Sequence, residues 1–173
     1  GQSITLLHVA THGFYSPLTG HYTAQRSFEE QALSRSGLFL SGAAASLNMK
    51  KIPEDIEDGI LTAKELSKLD LSNLNLAILS ACQTGLGEIV GDGVFGLQRG
   101  FKKAGAQTLL MSLWKVDDTA TQLLMAEFYK NLVSGQNKRA AFLNAQKYLR
   151  SYQNGIYDKP EYWAAFIMLD GIH

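Results

Sequence analysis

Four short runs of this chain are apolar without the in–out alternation of a one-sided sheet: residues 4–10 (ITLLHVA), 75–81 (NLAILSA), 107–113 (QTLLMSL) and 163–169 (WAAFIML). A strand that is apolar on both pleat faces must be covered on both sides, which is the habit of parallel sheets. The segments between the runs supply covers. Thr62 with Glu65 three positions on is a capping box for a helix over 63–68. Phe95, Leu97 and Phe101 anchor a helix predicted over 93–104, stopped by Gly105. Asp117 or Asp118 can cap a long helix in which Leu124, Met125, Phe128, Leu132 and Val133 recur at helical spacing. Gly135 and Asn137 break that helix, and Ala141, Ala145, Tyr148 and Tyr152 mark another. Strands alternating with helices predict an α/β fold, a mainly parallel sheet flanked by helices. Residues 37–41 (GLFLS) read as a further short strand, 14–36 as loop with room for a short helix, and 48–59 as a polar surface loop.

Composition removes several function classes. The 173 residues suffice for one domain, with no internal repeat and no second-domain boundary. Sixteen basic residues balance sixteen acidic ones and are scattered, so neither nucleic acid nor an anionic membrane surface is an expected partner. No signal peptide or bilayer-length apolar run is present. A single cysteine cannot form an internal disulfide, which favours a reducing, cytoplasmic setting. Metal-ligand spacing is absent, and 85–93 (GLGEIVGDG) has glycines but no lysine of the phosphate-binding type, so neither metal nor cofactor is expected. An apolar run within three residues of Gly1 reads as a domain taken from a longer protein.

In an open α/β sheet, chemistry collects at the carboxyl ends of the strands. Two polar tripeptides fall there, Thr11-His12-Gly13 and Ser80-Ala81-Cys82. A thiol attacks as thiolate, and a neighbouring imidazole both raises the thiolate fraction and protonates a leaving amine. Donors for a tetrahedral oxyanion are available in principle from the amides of Gly13 and Cys82. The plainer alternatives stand beside this. A lone strand-end cysteine also reads as a small buried hydrophobe, and His12 as a hydrogen-bonded cap. His8 lies inside a strand and is expected to pack or bond there; His21 and His173 lie in a polar loop and at the terminus.

The stretches HVATHG (8–13), RSGLFLSGA (35–43), DGILTAKELSKLDL (58–71), LAILSACQTGLGE (76–88), GDGVFGLQRGFKKAGAQTLLMSLWKVDD (91–118) and YWAAFIMLDG (162–171), in that order, resemble the CHAT domain, a branch of the caspase-like cysteine peptidases related to separase and gingipain. The resemblance implies a caspase-like three-layer sandwich in a single domain over 1–173, expected to be the C-terminal part of a longer protein. It implies His12 as catalytic histidine, Cys82 as nucleophile, and the backbone amides of Gly13 and Cys82 as the oxyanion hole. It also implies a substrate groove bordered by SLWKVDD (112–118), with Ser112, Trp114, Asp117 and Asp118 as substrate-binding residues and an acid there selecting a basic side chain. Asp117 and Asp118 also read as ordinary helix caps, and Asp92 as a turn residue.

Together these features predict a cysteine endopeptidase that binds a protein or peptide in extended form and is regulated by a repeat or sensor region upstream or in trans. The alternative is a non-catalytic caspase-like interaction or regulatory module. A redox-sensing thiol ranks last, because the chain holds no resolving cysteine.

Overall fold

Leu76–Leu79 shows why the non-alternating runs matter: all four side chains are buried, and they divide between two cores. Ala77 and Leu79 face one cluster with Ala63, Leu66, Leu97 and Phe101, whereas Leu76 and Ile78 face another with Leu124, Phe128, Phe142 and Leu149. A computed structural model describes residues 5–16, 28–48, 58–80, 88–90 and 93–171. Within them the main sheet has the order β1-β5-β8-β9, with β1 Leu6–Val9, β5 Leu76–Leu79, β8 Thr108–Ser112 and β9 Phe166–Asp170. β1, β5 and β8 are parallel and β9 is antiparallel to β8.

One face carries α3 (Ala63–Leu66) and α4 (Leu97–Ala104); the other carries α5 (Asp118–Val133) and α6 (Lys138–Ser151). This is the expected three-layer α/β arrangement. Local signals start and stop the helices as anticipated. Thr62 and Glu65 form both bonds of the capping box, and Gly105 closes α4 in the left-handed conformation at φ 92°. Asn137, read only as a break after α5, also begins α6 by accepting the Ala140 N–H.

Several expectations change. β1 lies at an edge of the main sheet among the described residues, so it alternates between exposed and half-buried positions rather than being covered on both faces. The predicted 93–104 helix begins only at Leu97, because Gly93–Phe95 is a strand, β7, paired antiparallel with β6 (Glu88–Val90). The region read as loop from residue 14 holds helix α1 (Phe28–Ser34), and it also contributes strands. β2 (His12–Tyr15), β3 (Ser36–Phe39) and β4 (Ile60–Thr62) form a small antiparallel sheet of their own. Gly37 is required there, since a Cβ would sit 2.6 Å from Leu61 O and 2.7 Å from the Phe14 ring. Short helices α2 (Ala43–Asn48) and α7 (Pro160–Trp163) complete the chain; α7 takes Trp163 from the predicted final strand, and a turn at Ala164 and Ala165 precedes β9. Most of the polar loop read at 48–59 lies outside the described residues.

Candidate active site

β1 ends at Val9, and Ala10-Thr11 carries the chain from the main sheet into the small one, whose first residue is His12. The Thr11 hydroxyl donates to Phe39 O, which ties this crossing to the end of β3. His12 stands opposite Phe39 in the β2–β3 register, with Gly13 opposite Leu38. Its side chain is exposed at the carboxyl end of the main sheet, where the sequence placed it. On the neighbouring strand, Ser80 N–H donates to Val9 O at 3.1 Å and extends the β1–β5 ladder by one residue. Cys82, with the glycines at 85 and 87 and with Asp92, lies outside the described residues.

Two cavities meet at Thr11 and His12. The first, about 430 Å³, is lined by Phe39, Leu40, Ser41, Ala43, Ala44 and Leu47 and is more apolar than polar. The second, about 250 Å³, is lined by Ala10, Ser80, Val116, Asp118 and Thr121. One side of His12 is therefore suited to an apolar group, the other to a polar or cationic one. The Thr121 hydroxyl is buried and has no hydrogen-bond partner among the described residues.

The four residues read as a substrate border separate in the structure. Ser112 is fully buried at the end of β8, opposite Phe166. Trp114 is 39% exposed, and its indole N–H donates to Glu161 O at 3.2 Å, fastening it to α7. The Asp117 carboxylate accepts the Ala120 N–H at 2.8 Å, so this acid is the N-cap of α5. Asp118 is exposed, is not the cap, and alone of the four lines the His12 cavity.

Sequence reasoning missed a second cluster beside His12. His8 Nε2 lies 2.9 Å from Ser80 Oγ, and its Nδ1 lies 2.7 Å from the Tyr129 hydroxyl. The His8 and Tyr129 rings are in contact at 5.9 Å. Burial holds His8 below the ordinary histidine pKa and pushes Tyr129 above the ordinary tyrosine value. The expectation that His8 bonds within the sheet is met. Its partner on α5, 121 residues away, has no local sequence signal. No group of three or more possible metal ligands occurs among the described residues, and no helix among them is long and apolar enough to cross a membrane.

A family model described as "CHAT domain" matches residues 2–171. The chain is also similar to tetratricopeptide repeat protein 28 of Mus musculus, 34% identical over 110 residues, which is 64% of this chain and 4% of the relative. Similarity to the Homo sapiens protein of the same name is 32% identity over 114 residues, 66% of this chain and again 4% of the relative.

Proposed function

Because this chain belongs to the CHAT domain family, which has the caspase-like α/β architecture described above, we propose that it is a cysteine endopeptidase working through Cys82 and His12. The observation that carries this reading is the position of His12. It is an exposed imidazole at the carboxyl end of a parallel sheet, flanked by two cavities that can receive the residues of one extended chain. Cys82 follows β5, the strand next to β1, by only three residues.

In this mechanism the Cys82 sulfur forms a bond to the scissile carbonyl carbon after its proton passes to His12. The oxyanion is held by the Gly13 and Cys82 amides, an interaction worth about 3 kcal/mol per donor. Collapse breaks the C–N bond as the imidazolium returns its proton to the leaving amine. Water, deprotonated by His12, then hydrolyses the thioester and restores the thiol. Asp118 is the preferred acid for a basic substrate residue, because Asp117 spends its carboxylate on the α5 cap. An apolar residue on the other side of the cut suits the cavity of Leu40 and Leu47.

The matched relatives take their name from tetratricopeptide repeats, and the match covers only 4% of their length. Regulation by a repeat region in the same chain or a partner fits that architecture. The alternative is a module whose groove binds a peptide without cutting it. A cleavage screen over a peptide library with the full-length protein separates the two. Peptidase activity requires turnover that is abolished in Cys82→Ala and in His12→Ala, each still folded by circular dichroism. Binding without turnover in the wild type would establish the alternative.

A further inference from the structure

Three groups on three elements form one hydrogen-bonded chain: Tyr129 on α5, His8 on β1 and Ser80 at the exit of β5. A neutral imidazole carries one N–H, so the two ring nitrogens play opposite roles. A phenol is a better donor than acceptor toward imidazole. Tyr129 O–H donating to Nδ1 places the ring proton on Nε2, which donates to Ser80 Oγ. With its oxygen accepting from His8, Ser80 has its own hydrogen free to point elsewhere. Ser80 lines the second cavity, together with His12, Asp118 and Thr121. Burial disfavours the charged imidazole and so favours this neutral arrangement.

We propose that Tyr129 and His8 are positioning residues that hold the Ser80 hydroxyl as a hydrogen-bond donor for a main-chain carbonyl of the peptide bound beside His12. The peptide as occupant rests on the reading of the cleft given above; the donor geometry does not. Neither Tyr129 nor His8 touches the peptide. Each acts through Ser80, by setting which way one hydroxyl hydrogen points. An extended peptide presents a carbonyl at every residue, and a neutral donor beside the cavity suits such an acceptor better than it suits a cation. A purely structural chain tying α5 to the sheet makes the opposite prediction, a change in stability with no change in peptide affinity.

The test uses the full-length protein carrying Cys82→Ala, so that binding is read without turnover, and fluorescent acetyl tetrapeptide amides with arginine at a fixed position as the probe. Adding Ser80→Ala should weaken binding three- to tenfold, the range of one net hydrogen bond. Ser80→Thr, which keeps the hydroxyl, should restore affinity to within twofold. Tyr129→Phe should weaken it by two- to fivefold, because Nδ1 is then free to hold the ring proton and Nε2 can draw the Ser80 hydrogen away from the cavity. Thermal unfolding of each variant controls for folding. Unchanged affinity in Ser80→Ala with a lowered Tm, or no peptide binding at all, would overturn the proposal. Failure of the peptidase reading has a different signature, in which the Cys82-containing protein binds the same peptides without cutting them and Ser80→Ala still weakens that binding.

Discussion

Gly100 lies in the middle of α4 where this helix crosses α3, and replacing it with alanine sets two effects of known size against each other. In an isolated helix the change is favourable by about 0.8–1 kcal/mol, since glycine is the poorer helix former. Here a Cβ would sit 2.8 Å from Ala63 O, 3.2 Å from Ala63 Cα and 3.2 Å from Leu66 Cδ2. Carbon–oxygen contacts normally begin near 3.3 Å, so the two helices must part by about half an ångström. The nearest atoms are backbone, which cannot swing aside as a side-chain tip does. Separating them also loosens Phe101 and Leu66, both buried in the same core cluster. Overpacking costs about 1–3 kcal/mol, and a clash with backbone falls in the upper part of that range, about 2–3 kcal/mol, so after the propensity gain of about 0.8–1 kcal/mol the net loss should be about 1–2 kcal/mol. For a chain of this size that corresponds to a fall in Tm of roughly 2–8 °C, with an unchanged m-value in urea unfolding. Gly100→Val, larger and β-branched, should lose more. An alanine variant as stable as the wild type would refute the close-packing argument, because propensity would then be the only effect present.

Other substitutions separate stability from binding. Asp117→Ala removes the α5 N-cap and should cost about 1 kcal/mol; Asp118→Asn should leave Tm within a degree or two but reduce the preference for arginine-containing peptides, read as relative cleavage or binding across a library. Lys138 bridges Asn75 O at 3.0 Å, Asn75 Oδ1 at 2.7 Å and Thr108 Oγ1 at 2.7 Å, so Lys138→Met should destabilise by about 1–2 kcal/mol in chemical unfolding, and a neutral result would mean that these bonds merely replace water. His8 titrates below its ordinary value in the folded state, so the unfolded chain takes up its proton first as pH falls. Its contribution is therefore complete above about pH 6.5 and is lost on acidification below that. Stability measured from about pH 7.5 to about pH 5.5 should fall further in the wild type than in His8→Gln, and equal slopes would exclude His8 as a contributor.

What could be read from the chain without its structure followed the reach of each physical signal. Thr62 with Glu65 and Gly105 act within one helical turn and do what their spacing announces, whereas Asn137, read only as a break, is also the N-cap of α6. The buried runs of β5 and β8 were equally plain, because both faces of each strand are covered. The strands β2 and β4 were not, being short and defined by pairing with β3, whose partners lie more than 20 residues away. Nothing local marks β9 as antiparallel. At the site, His12 and its strand-end position were legible from the glycine and polar residues that follow an apolar run. The roles of Asp117 and Asp118 were not separable beforehand, since either acid fits a cap and only the backbone decides which one does. Ser80 stood two residues from Cys82 in plain view, but its significance comes from His8 and Tyr129, which are joined to it only by folding.

The small antiparallel sheet has a consequence for where the domain can open. His12 belongs to it, whereas Ser80 extends the main sheet. In the main sheet β5 and β8 are sealed between two apolar cores, but in the small one full burial is confined to Ser36, Gly37 and Leu38 of the central strand. Elements with little buried apolar surface exchange their amide hydrogens through local openings that cost much less than global unfolding. Hydrogen exchange should therefore reach the amides of β2 and β4 well before those of β5 and β8. The imidazole and the strand that leads to the cysteine would then sit on parts of the fold with different local stabilities. Anything that clamps or loosens the small sheet alters the alignment of the two without disturbing the core.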